Sequence, residues 1–228
     1  MNWSCDFLRA AVTFVDWKNL LAAFVGTFVG AYVAFKLEQK TRALEQVRMR
    51  STEGNLALLT LFQMFNELRQ FQKEVIATVP ERPGRWMTMK VTFPQSGSKL
   101  GFDASRLAFL LECEDKNLLP EVLLEARRFD LAIEMINRRS HLMLEKIFPA
   151  LSAAGLRQEE KKVPEGLVTA ILGPALSSEA DSLTEQIITN VNEDVQSLKG
   201  IFDKLRLALV KLLPKQKFIR VDFDQPAP

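Results

Sequence analysis

Apolar residues are distributed along this chain in two ways: one unbroken run near its beginning, then stripes at helical spacing. Residues 20–35 read LLAAFVGTFVGAYVAF, with Lys18 before them and Lys36 after, and no charge between. As a helix this run rises about 24 Å, somewhat short of a hydrocarbon core of about 30 Å. Snorkelling of Lys18 and Lys36, with Trp17 at one interface, makes up the difference, so the pattern predicts a transmembrane helix over 18–37. A buried core helix is one alternative. A cleaved signal peptide is another, opposed by the long preceding region and by the lack of a small-x-small site before KLEQKTR.

Beyond the run the pattern predicts an all-α chain. Residues 38–79 lack proline and are rich in good helix formers, with Leu44, Val47, Leu58, Phe62, Phe65, Leu68, Val75 and Val79 along one stripe. Ser51, Thr52 and Gly54 interrupt that stripe, which predicts a kink or a fresh helix start there. Pro83-Gly84, Pro94 and Gly97 then make 80–102 a structured surface loop, with 86–93 too isolated to pair as a strand. Asp103 is placed to cap a short helix over 104–114, and Pro120 to open a helix running to Phe148. The apolar face of that helix is Val122, Ala126, Phe129, Ile133, Ile136, Met143 and Ile147, opposite Glu121, Glu125 and Arg128. Residues 149–178 read as a connector with a short helical piece at 165–172. Ser178 then caps a last helix that Pro214 stops. Its stripe of Leu183, Ile187, Val191, Val195, Leu198, Phe202, Leu205, Leu209 and Leu212 is the most regular in the chain. The expected layout is an amino-terminal periplasmic arm (1–17), the span (18–37), a cytoplasmic helical bundle with long antiparallel helices (38–213) and an exposed extended tail (214–228). Phe7, Ala11 and Phe14 give the arm one apolar face that can lie on the membrane.

Within the span, Ala22, Gly26, Gly30 and Ala34 stack on one stripe, and Ala23, Thr27 and Ala31 on a second beside it. Lipid tails are as apolar as the helix, so smooth small-residue stripes favour close packing against another span. Self-association is the expectation. Lys36, Lys40, Arg42, Arg48 and Arg50 follow the span, whereas only Arg9 and Lys18 precede it. That bias puts the amino end outside and the bulk of the chain in the cytoplasm of a bacterium, with the basic collar on anionic lipid of the inner membrane.

Composition narrows the chemistry only slightly. The chain has 228 residues, 47% hydrophobic and 25% charged, and a net charge of +2 is too small to signal a nucleic-acid binder. Cys5 and Cys113 lie on opposite sides of the expected membrane, so no disulfide and no cysteine-based metal site is expected. His141 is the one histidine. No phosphate-binding, dinucleotide-binding, hydrolase, zinc or calcium motif occurs, so neither an enzyme nor a cofactor is expected.

The densest polar cluster is INRRSHLMLE at 136–145, with Arg127 and Arg128 about three turns earlier. An eleven-residue spacing brings Arg127 near the face of Arg138, and Arg128 near that of Arg139. With His141 these four arginines could hold a phosphate, an RNA backbone or an acidic protein surface. A helical ribonuclease would need its arginine further ahead of the histidine than Arg138 and Arg139 stand. The bland reading is that Glu125, Glu134 and Glu145 pair with the arginines on the surface.

The span, the emergent helix, the Pro/Gly-rich loop and the stretch GFDASRLAFLLECEDKNLLPEVLLEARRFDLAIEMINRRSHL together resemble a set of small bacterial single-span membrane proteins of uncharacterised function. The layout is also similar to that of single-span effectors accompanying antiphage systems, including the membrane accessory protein of type VI-B CRISPR loci. That similarity implies an oligomeric cytoplasmic helical domain and carries over no site residues. The expected function is therefore a self-associating inner-membrane protein that forms a pore or perturbs the bilayer in phage defence. Its expected partners are the bilayer, its own copies, and another protein or RNA component of the same defence system. The alternative is a membrane-tethered helical module that recognises RNA, a nucleotide or a protein through the arginine cluster.

Overall fold

A computed structural model describes residues 17–80, 84–93, 100–156 and 164–223. Among them the chain is all-helical, without strands. It divides into two units, Met1–Met49 and Arg50–Pro228. The periplasmic arm expected at 1–17 lies, apart from Trp17, outside the described residues.

Helix α1 spans Trp17–Glu74, 58 residues that run from the first unit into the second. The fresh start expected at 51–54 does not occur, because Gly54 serves packing. A Cβ there would meet Leu209 Cδ2 at 2.9 Å and Cδ1 at 3.0 Å, and Phe218 Cε1 at 3.4 Å, so the glycine lets two segments approach more closely than any side chain allows. In the second unit, α1 buries Leu58, Leu61, Met64, Phe65 and Leu68, whereas Leu44, in the first unit, is exposed. The buried stripe thus begins about three turns later than its sequence spacing suggests.

Helix α2, Leu118–Leu142, continues through a single π-turn, Met143–Ile147, into α3, Phe148–Ala153. The expected stop at Phe148 fails for a physical reason. Proline lacks an N–H and its ring crowds the preceding turn, and the wider π-turn, in which the Phe148 N–H donates to the Met143 carbonyl, carries the helix past Pro149. After α3 the chain leaves through Gly155 at φ +80°, where Leu156 N–H donates to Leu151 O and Gly155 N–H to Ser152 O, a left-handed helix end that favours glycine. Helix α4 is Glu165–Leu172, and α5 is Pro174–Leu212. The last helix starts one turn before Ser178, since Pro174 suits its first position and the Ser177 hydroxyl donates to the Gly173 carbonyl.

Helices α2 and α5 run antiparallel, as their side-chain ties show: Glu121 with Lys204, Glu125 with Ser197, Arg139 with Thr184. The face expected for α2 is buried throughout, and so is the α5 stripe from Leu183 to Leu209, with Leu212 half-buried. Burying a leucine of this kind contributes about 2 kcal/mol, so these seams supply most of the driving force.

Three connecting segments differ from expectation. Residues 84–93 are less a surface loop than an inward plug, with Trp86 and Met89 buried around a 3-10 turn at Arg85–Met87. The helix expected at 104–114 is a 3-10 turn, Ala108–Glu112; Asp103 accepts from the N–H and hydroxyl of Ser105, a local turn instead of an α-helical cap. As far as Phe223, the tail is docked, not free. The Asn55 amide donates to Lys217 O at 3.1 Å and its oxygen accepts from Ile219 N–H at 2.9 Å. Phe223 packs edge-on against Phe65 and Phe202, with centroids 4.7 and 5.0 Å away.

Candidate functional site

Two places hold the residues singled out by the sequence. In the first unit, every residue from 21 to 46 is exposed, including Phe24 at 71% and Phe28 at 68%. Among the described residues nothing buries this most apolar helical stretch, which is long and apolar enough to cross a membrane. The space beside Gly26 and Gly30 is open, with nothing within 4 Å of a Cβ placed on either. Thr27 hides its polarity by donating its hydroxyl to the Ala23 carbonyl at 2.8 Å. At the end of the run Lys36 Nζ lies 5.8 Å from the Tyr32 ring centroid, and Arg42 pairs with Glu38. Such a surface is apolar on every side and presents two glycines on one line.

In the second unit, the arginine cluster is not one site. Arg139 is 2% exposed, and its guanidinium donates to Thr184 Oγ1 (2.9 Å) and to the carbonyls of Trp86 (2.8 Å), Met89 (2.9 Å) and Lys90 (3.3 Å). Burial pushes its pKa down to about 10, so it stays charged at neutral pH with carbonyl dipoles in place of a carboxylate. Next to it, Ser140 donates to Thr92 O at 2.5 Å. Together these two residues hold the 84–93 plug onto α2. Arg128 binds Glu125 and Ser197, while Arg138 pairs with Glu179 at 3.1 Å on the surface. Arg127 is exposed and forms no ion pair with the described residues. His141 is also exposed; its Nδ1 lies 2.9 Å from Glu145 Oε1 and its ring meets Phe93 edge-on. The set thus contains one interior latch, Arg139, two exposed arginines that are paired, and Arg127 and His141, exposed as well.

Sequence reasoning missed a buried pair of acids. Glu125 is 5% exposed, on the face of α2 expected to be polar, and Asp194 on α5 is 8% exposed. The signal was present: Asp194 stands three residues after Val191 and four before Leu198, and Glu125 three after Val122 and four before Phe129, all core positions.

Other chemistry is sparse. Among the described residues no three His, Cys, Asp or Glu side chains are grouped to hold a metal ion. Cys113 is free and buried, its thiol pushed up by burial; Cys5 lies outside the described residues. A groove of about 360 Å³ runs along α1 beside residues 101–107, lined by Glu53, Leu56, Thr60, Phe102 and Arg106 among others. Its polar groups satisfy one another, Arg106 reaching both Glu53 and Asp103 at 3.4 Å. Compared with protein families, curated proteins and solved structures, the chain matches none.

Proposed function

We propose that this chain is a single-span membrane protein that assembles with its own copies through the Ala22, Gly26, Gly30, Ala34 stripe. The observation that carries the reading is the complete exposure of residues 21–46, whose apolar part has no cover among the described residues. Water is the wrong solvent for that surface, and a bilayer is the right one. Within a bilayer, the open line beside Gly26 and Gly30 lets a second helix approach backbone to backbone. The basic residues after the span orient it with the amino end outside and the helical unit in the cytoplasm. The resemblance of the layout to that of membrane effectors of antiphage systems extends the proposal to function: assembled spans perturb the bilayer or conduct through it. A conducting path would be lined mostly by apolar side chains, since Thr27 and Tyr32 alone in 20–35 are polar and the Thr27 hydroxyl is already bonded to Ala23.

The test replaces Gly26 and Gly30 together by Leu. In detergent micelles the variant should sediment as a monomer where the parent sediments as a larger species, and dye release from vesicles should fall with it. Equal sedimentation of variant and parent would refute the assembly surface. A parent that is monomeric in detergent and in vesicles would remove the reading altogether.

A further inference from the structure

Where α2 crosses α5, the interior sets two acids against one arginine. Glu125 Oε1 accepts from Ser197 Oγ at 2.6 Å and from Arg128 Nη1 at 2.9 Å, and Arg128 reaches Ser197 Oγ at 3.3 Å. Glu125 Oε2 is buried with no hydrogen-bond partner. Asp194 lies one turn before Ser197 and so faces the same turn of α2. The charges acting on Asp194 are Glu125 and Arg128 across the crossing and Glu193 on its own helix. Arg128 is nearly half-exposed, so water weakens its hold on both acids. Two carboxylates in this setting cannot both ionise without penalty, and an orphaned carboxylate oxygen beside them needs a donor. A protonated carboxyl supplies one.

We propose that Glu125, Arg128, Asp194 and Ser197 form a proton-operated joint between α2 and α5. One proton taken up by the acid pair in mild acid removes the buried repulsion and tightens the crossing; its release restores the repulsion and loosens the two helices. Burial, then the neighbouring Glu125, pushes the Asp194 carboxyl from 3.8 up to about 6. The folded value lies above the unfolded one, so the penalty is absent below the unfolded value. It grows as pH rises through about 6 and is complete above it.

Thermal unfolding of the full chain in detergent micelles, followed by helical circular dichroism between about pH 4 and about pH 8, tests the joint. The parent midpoint should fall by several degrees as pH rises. Asp194→Asn should approach the parent only toward about pH 4, exceed it increasingly up to about pH 6 and by a constant margin above, and lose most of the slope, with Glu67, also pushed up by burial, contributing to what remains. Glu125→Gln should flatten the profile in the same sense. A parental slope retained in Asp194→Asn, or a parent midpoint that rises across the interval, would overturn the proposal. If Asp194→Asn does not fold, amide exchange of the parent decides. After correction for intrinsic rates, exchange at residues 191–198 should be slower in mild acid, and equal protection at both ends of the range would overturn the joint.

Discussion

Arg139 was read from the sequence as a candidate anion ligand, and the folded chain uses it against its own backbone. Its planar fork serves three carbonyls and a hydroxyl at once, which an ammonium group cannot reproduce. Arg139→Lys should therefore lower stability by about 2 kcal/mol, read as an earlier urea midpoint, despite keeping the charge. Arg138→Lys, at an exposed pair with Glu179, should change the midpoint by less than about 0.5 kcal/mol. Adjacent arginines in one sequence motif differ this much because a helix turns about 100° per residue. One faces water and its neighbour faces the 84–93 plug. Periodicity does resolve that difference, since Arg139 lies three residues after Ile136 and so continues the buried face; the carbonyls awaiting it come from a segment about fifty residues away.

Among the elements, the long helices were legible and their ends were not. Stripes from Val122 to Ile147 and from Leu183 to Leu209 mark buried faces because a helix of this length can hide only one side. Pro149 and Pro174 have opposite roles that residue type alone does not distinguish, one passed by a π-turn and the other opening α5. The tail shows the same limit. Nothing local in KFIRVDF marks it as docked, because its partners Asn55, Phe65 and Phe202 are distant in the chain. Asn55→Ala removes both backbone ties, so trypsin should cut after Lys215 and Lys217 several-fold faster than in the parent, with little change at Lys211, within α5. An unchanged cleavage rate would mean that the aromatic contacts alone retain the tail.

For the whole molecule, the division into two units carries its own prediction. Among the described residues every member of the buried core lies at or after Ala57, in the second unit. Residues 50–228 expressed alone should remain in solution without detergent and unfold in one cooperative transition, whereas the full chain should require an amphiphile. Aggregation of the fragment would show that the second unit depends on the first. By itself the sequence determined the all-helical class, the long apolar helical run near the amino end and the faces of the long helices, because these depend on neighbours within a few turns and on how apolar side chains partition. Only the tertiary structure decided that Arg139 latches a loop, that Gly54 admits Leu209, that the tail returns to α1, and that Glu125 and Asp194 meet inside. Each of these is a contact between residues far apart in the chain, and periodicity says which face is buried without saying what will be found there.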